Sequence, residues 1–280
     1  MIELIVSQGR VADRAPRMIE GAALTAKALC QRYGATARYI GQPEPHASDD
    51  WTVALPQAQQ TLRGIAQAID ESIRQNGRTF MLSNTCSVSL ASLPVVAKAH
   101  PDAVILWIDA HGDFNTPATT DSGYLGGMVL AGACGLWDSG HGAGINPKQV
   151  VLVGARDIDA NERELVRNAG VRIVAPSETS PETILHALNG APVWIHIDWD
   201  VLEPGYLPAD YSVPLGLRPD QIKQLIGAIP PERILGIELA EFNASTFAED
   251  NQKAIEIILD IVSPLFDNAV QPHSAILENA

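Results

Sequence analysis

Hydrophobic positions recur along this chain with two alternating periods. Short runs rich in β-branched residues read as strands: IELIV (2–6), ARYIG (37–41), RTFML (78–82), AVILWID (103–109), QVVLVG (149–154), VRIV (171–174), VWIHID (193–198) and RILGIELAE (233–241). Stretches with helical spacing lie between most of them. PRMIEGAALTAKALCQRYG (16–34) has Pro16 near its start and Gly34 at its end. TLRGIAQAIDESIRQNG (61–77) places Leu62, Ile65, Ile69 and Ile73 on one face and stops at Gly77. Further helical patterns cover 159–168, 180–189, 219–228 and 248–263.

Strands alternating with helices predict an α/β fold of three layers, α-β-α, around a mainly parallel sheet. No internal repeat, low-complexity tract or linker divides the sequence, so one domain is expected over residues 1–280. The longest predicted loops, near 110–125 and 200–217, follow strand ends. Such sheets bind ligands outside the carboxyl ends of their strands.

The chemistry sits in those loops. DAHGD places Asp109, His111 and Asp113 two apart as a buried strand ends. HIDWD repeats the device with Asp198 and Asp200. Extended backbone sends alternate side chains to one face, so each set can converge. Taken singly, a short acidic run is also what a solvated loop looks like. Two such runs at matching strand ends form a carboxylate cluster that needs cations, and a pair of divalent ions would activate water at neutral pH.

The formal net charge is -14 among 280 residues, which argues against nucleic acid or an anionic membrane surface as a partner. Hydrophobic residues make up 46%, enough for a sizeable core. Nothing reads as a signal peptide or a bilayer-spanning run. Cys30, Cys86 and Cys134 are odd in number and widely spaced, which fits a reduced, cytoplasmic protein rather than a disulfide framework. Cys30 and Cys134 lie in apolar helical patterns and read as small hydrophobic residues. Cys86, in SNTCS where a turn gives way to a helix, can be read either as buried filler or as a ligand.

DAHGDFNTPATTDSG and HIDWDVLEPG resemble signatures of the arginase and ureohydrolase family. The resemblance runs from about Gly77 to Asn243 and is nearer to arginases than to agmatinases. It implies an arginase-like fold, hydrolysis of a guanidino group, and two Mn2+ ions. It further implies that Asp109 and Asp198 bridge the ions, that Asp113 joins them on one, and that His111 and Asp200 complete the other. The remaining family ligand is a histidine 23 residues before the first bridging aspartate, and that position here is Cys86. By the same resemblance Asn115, Ser122 and Asp159 would read the amino-acid end of a substrate, with Glu162 in support. Glu241 would face the guanidinium, and Ser212 would stand where a threonine supports that region. Asp113 and Glu241 are the expected catalytic groups. Asp159 and Glu162 can also be read as acids favoured at a helix start.

Two departures bear on substrate. A thiolate in place of imidazole leans the metal choice toward zinc or iron and makes a weaker Lewis acid. Gly126 replaces a family histidine thought to move protons near the leaving amine, and it should open room beside the guanidine. Both changes disfavour arginine and favour a less basic N-hydroxyguanidine, Nω-hydroxy-L-arginine, with hydroxyurea and L-ornithine as products. The cysteine-for-histidine change is similar to that in hydroxyarginine hydrolases of antibiotic biosynthesis. A low-activity arginase and a non-catalytic arginine-binding protein remain as alternatives. Glu203, in place of a family aspartate, reads as a mild change. His46, His100, His141, His186, His196 and His273 match no role; His196 can pair behind the ligands, but it reads first as an ordinary core or surface residue. Many arginases are trimers tied by a C-terminal extension; the short ending SPLFDNAVQPHSAILENA fits a monomer.

Overall fold

The computed structural model describes residues 2–270. Its strands are β1 (Glu3–Ser7), β2 (Thr36–Ile40), β3 (Thr79–Leu82), β4 (Val104–Ile108), β5 (Val150–Val153), β6 (Arg172–Val174), β7 (Val193–Asp198) and β8 (Ile234–Ala240). They form one eight-stranded sheet in the order β2-β1-β3-β8-β7-β4-β5-β6, with every pairing parallel. The main helices are α1 (Met18–Tyr33), α2 (Trp51–Asn76), α3 (Ser89–Ala99), α4 (Val129–Ala133), α5 (Ala160–Ala169), α6 (Pro181–Leu188), α7 (Pro219–Ala228) and α8 (Ala248–Val270).

Strand residues alternate between two cores, as a pleated sheet buried on both faces requires. Leu106 and Ile108 of β4 pack with Ala26 of α1, Ile184 of α6, Leu225 of α7 and Ile258 of α8. Ile105 and Trp107 pack on the opposite face with Leu62 of α2, Val96 of α3, Leu130 of α4 and Val166 of α5. The result is the expected three-layer arrangement.

The helix ends follow local chemistry. Gly34, at φ 65°, and Gly77, at φ 70°, close α1 and α2 in the left-handed conformation that glycine adopts without strain. The second helix begins ten residues earlier than its periodicity predicts. Asp50 caps it by accepting from the Thr52 amide, and Pro56 lies inside it. Likewise α8 runs through Pro264 to Val270, beyond the predicted end at 263. The rest of the C-terminal segment, with His273, lies outside the described residues. No helix among the described residues is long and apolar enough to cross a membrane.

Candidate metal centre

Three neighbouring strands, β8, β7 and β4, end on one side of the sheet, and β3 adjoins β8. Their carboxyl ends deliver the chemistry. Asp109 follows β4, Asp198 ends β7, Glu241 follows β8, and Cys86 opens a short 3-10 turn after β3. All four are buried. Cys86, Asp198 and Glu241, together with His111, Asp113 and Asp200, border a cavity of about 300 Å3.

The backbone holds these groups in place. Asp109 Oδ1 accepts the His111 amide at 2.7 Å, and Oδ2 accepts Trp107 Nε1 at 3.0 Å. Asp198 Oδ1 accepts the Asp200 amide at 2.8 Å, while Oδ2 lies 3.1 Å from the Cys86 sulfur as its acceptor. Asp200 Oδ1 accepts the Ala110 amide at 3.1 Å, tying the two acidic turns together. Arg156 braces the second turn from outside by donating to the carbonyls of Asp200 and Val213 at 3.1 and 2.7 Å. Asp113 and Glu241 sit at φ 48° and 66°, a region disfavoured for side chains other than glycine, so two cavity residues carry backbone strain.

Donor atoms converge in three overlapping sets: Asp109, His111 and Asp200; Cys86, Asp198 and Glu241; and Cys86, Asp109 and His196, each within 4.8 Å. Two like charges ~4 Å apart repel by about 4 kcal/mol at an effective dielectric of roughly 20. The titration behaviour reflects that crowding. Burial, with Asp200 and Asp109 nearby, pushes the Asp198 carboxyl well up. Burial and the Asp109 charge do the same to Asp113, and burial and Asp198 to the Cys86 thiol. Burial opposes charge on His111, but Asp109 and Asp200 accept its hydrogen bonds and push it up to about 12. Its Nδ1 lies 2.9 Å from Asp200 Oδ2 and 3.4 Å from Asp109 Oδ1. A proton there balances negative charge as a cation would. Asp113 Oδ2 is buried without any hydrogen-bond partner. Oxygen-rich donors, one imidazole, one thiol and an orphaned carboxylate oxygen fit divalent metal ions.

The wider shell divides. Asn115 is buried, lines the cavity, and leaves its Oδ1 without a partner. Ser122 and Asp159 lie on the exposed part of the lining. Asp159 occupies the cap position of α5, yet its side chain makes no capping hydrogen bond. Glu162 accepts the Phe114 amide at 2.7 Å and packs so closely on Gly112 that a Cβ there would meet its Oε1 at 2.7 Å. Burial pushes its carboxyl up to about 7. Glu162 therefore shapes the turn that carries Asp113.

Two expectations need revision. Ser212 is exposed, donates to the Ala209 carbonyl at 2.9 Å, and does not line the cavity; its neighbour Tyr211 does. Gly126 does not open room in the direction of its missing side chain. A Cβ there would come within 2.5 Å of Tyr124 Cε1 and 3.1 Å of Tyr124 Oη. The phenol fills that volume and donates to Glu241 Oε1 at 3.2 Å.

Sequence reasoning passed over Arg14, Tyr124 and Tyr211. The Arg14 guanidinium stacks over the Tyr124 ring at 4.8 Å and lines the cavity. It also left His196 unassigned. His196 is fully buried, stacks face to face on Trp107 with 3.5 Å between centroids, and stands directly behind Cys86. Pairing of β4 with β7 sets Trp107 beside His196, a neighbourhood that requires the strand order to be known.

The profile of the Arginase family matches residues 3–264. The chain belongs to the arginase family. It is 64% identical over 269 residues to the N(omega)-hydroxy-L-arginine amidinohydrolase of Streptomyces lavendulae, covering 96% of this chain and 98% of that protein. Similarity to the arginase of Bacillus caldovelox is 30% over 159 residues, covering 51% of this chain and 53% of that protein. Among solved structures, Entamoeba histolytica arginase in complex with L-ornithine superposes with a TM-score of 0.81 at 20% identity, covering 95% of this chain and 98% of the other. As a member of the family the protein is a hydrolase.

Proposed function

We propose that this enzyme hydrolyses Nω-hydroxy-L-arginine to hydroxyurea and L-ornithine, using two Mn2+ ions. The observation that carries the reading is a thiol, Cys86, among the converging donors of a chain so similar to a hydroxyarginine amidinohydrolase. Cys86, Asp109, His111, Asp113, Asp198 and Asp200 would hold the ions. Two bound divalent cations would supply activation of water at neutral pH.

The chain's own groups do the rest. Water adds its oxygen to the guanidino carbon, the bond from that carbon to Nδ breaks, and Nδ leaves as the amine of ornithine. Asp113, on the cavity wall with a free oxygen, is the group placed to pass a proton to that nitrogen. Glu241 faces the guanidine and is fixed by the Cys86 amide at 2.8 Å and the Tyr124 hydroxyl. Asn115, Ser122 and Asp159 hold the α-carboxylate and α-amine. A neutral N-hydroxyguanidine depends less than a guanidinium on a strong nucleophile and on assisted departure, which suits a softened metal pair without a histidine at 126. The thiol among the ligands supports a role in antibiotic biosynthesis of the D-cycloserine kind, and the reduced cysteines support a cytoplasmic enzyme.

The test is release of hydroxyurea and of urea by manganese-loaded protein given hydroxyarginine and arginine. The expected preference for hydroxyarginine is at least tenfold in kcat/KM, about 1.4 kcal/mol in transition-state stabilisation. Equal rates would replace this reading with a plain arginase, and no turnover of either would leave a binding protein.

A further inference from the structure

Tyr124 is the unexpected occupant of the cavity. Its ring lies where a side chain at 126 would project, under the Arg14 guanidinium at 4.8 Å and beside Tyr211, with 5.7 Å between ring centroids. Three contacts therefore fix a phenol whose hydroxyl points at Glu241 Oε1, 3.2 Å away. That oxygen already accepts the Cys86 amide at 2.8 Å, so Glu241 and Tyr124 form one rigid unit. Burial and the Glu241 charge push the phenol well above its ordinary range, so it stays neutral and cannot act as a base at physiological pH.

We propose that Tyr124 is a substrate-contacting residue that selects an N-hydroxylated guanidine over a plain one. The assignment rests on the reading of the site as a hydroxyarginine hydrolase. The phenol proton is committed to Glu241, which leaves the oxygen lone pairs free to accept. Hydroxyarginine differs from arginine by an oxygen that carries one proton, an O–H donor reaching farther from the guanidino carbon than any N–H. Such a donor meets the phenol oxygen, whereas arginine leaves that acceptor unmatched inside a buried cavity. Loss of a matched polar contact of this kind is what lets a site reject an analogue lacking a hydroxyl. Tyr124 thus supplies by contact the discrimination that empty space at Gly126 could not.

Tyr124→Phe removes one oxygen and keeps the ring packed on Arg14, Tyr211 and Gly126. In the manganese-loaded protein we expect kcat/KM for hydroxyarginine to fall at least tenfold further than that for arginine, mostly through KM, the loss common to both substrates reporting the hydrogen bond that Glu241 gives up. Melting temperature and metal content should match wild type, which separates recognition from folding. A Tyr124→Phe enzyme that keeps its substrate ratio, or loses both substrates in parallel, overturns the role of Tyr124 while leaving the proposed reaction intact. Wild-type protein that ignores hydroxyarginine overturns the reaction itself, and the selection with it.

Discussion

The sulfur of Cys86 lies 3.3 Å from Nε2 of His196, and the other nitrogen of that ring lies 3.0 Å from Glu238 Oε2. Strand register produces this pair, since His196 on β7 is aligned with Glu238 on β8. Ser89, at the start of α3, donates to the same glutamate oxygen at 2.5 Å. Both the imidazole and the carboxylate are wholly buried. Groups that polar need partners, and removing one strands the other. His196→Phe would keep the stack on Trp107 but leave Glu238 with Ser89 alone. Unfolding in denaturant should show a loss of about 3 kcal/mol. His196→Phe with Glu238→Leu should recover most of it, and a double variant no more stable than the single would refute the pairing.

Metal binding should release protons and strengthen with pH. In the metal-free cluster His111 is held protonated by Asp109 and Asp200, while burial keeps the Cys86 thiol and the Asp113 and Asp198 carboxyls toward their protonated forms. Metal ligands must be deprotonated. Each proton displaced should tighten binding roughly tenfold per pH unit. Titration calorimetry in two buffers of different ionisation enthalpy should count more than one proton per ion pair. Buffer-independent heats would speak against these ligands. Asp198→Ala should lose both metal and activity.

How far the sequence could be read follows from which constraints are local. Asp109, His111 and Asp113, like Asp198 and Asp200, announce themselves because alternation at a strand end is written in consecutive residues. The start of α2 was hidden because Pro56 reads as a break, although the helix tolerates it and Asp50 caps its true beginning. His196 and Glu238 are 42 residues apart, and only the order of β7 and β8 makes them neighbours. Ser212 stands out in the sequence only as a hydroxyl where the resemblance expects a threonine, and Tyr211 does not stand out at all. In a loop a one-residue change of direction decides which side chain enters the cavity, and Tyr211 sits at φ 59°. Tyr124 stands two positions from Gly126, and only the direction of its ring in the folded chain puts it in the room beside that glycine.

Recognition of the amino-acid end predicts that agmatine, which lacks the α-carboxylate, is a poor substrate. The Asn115 side-chain amide and the Ser122 hydroxyl line this end of the cavity as donors for a carboxylate, while the unpaired Asn115 Oδ1 and Asp159 offer acceptors to the amine that agmatine keeps. Asn115→Ala should raise KM for the α-amino acid at least tenfold, about 1.4 kcal/mol, with a smaller change in kcat. Equal turnover of agmatine and hydroxyarginine by the wild-type enzyme would mean that this end of the cavity reads nothing.

Asp13 makes the metal-free fold less stable as pH rises. Burial pushes its carboxyl from 3.8 up to about 6, against hydrogen bonds from the Asn84 side chain and the Val11 amide that pull it down. The folded state then binds the proton more tightly than the unfolded state. Its stabilising contribution is complete below pH 3.8 and is lost as pH rises through about 6. The full swing is about 3 kcal/mol. Chelator-treated wild type and Asp13→Asn, unfolded by urea between pH 4.5 and 7.5, should therefore diverge in slope, with wild type falling more steeply toward neutral pH. Parallel profiles would show that Asp13 titrates normally.

Each of the two histidines that the resemblance leads one to expect is missing beside a residue that has taken its room. His196 presses on the sulfur of Cys86, and Tyr124 fills the volume next to Gly126. Conversion toward arginine hydrolysis by Cys86→His with Gly126→His should therefore fail on packing. An imidazole at 86 has no space against a ring 3.3 Å from the present sulfur, and a side chain at 126 begins 2.5 Å from Tyr124. Overpacking of a filled interior costs about 1–3 kcal/mol at each site. That double variant should lose stability and activity on both substrates. Adding His196→Ser and Tyr124→Asn clears both volumes and relieves both clashes, although loss of the His196–Glu238 pair keeps the quadruple variant less stable than wild type. That variant should raise the arginine-to-hydroxyarginine ratio of kcat/KM at least tenfold over wild type, about 1.4 kcal/mol. The measurements are thermal melts and both kcat/KM values for the three proteins. A double variant as stable as wild type would show that neither His196 nor Tyr124 is tied to its neighbour.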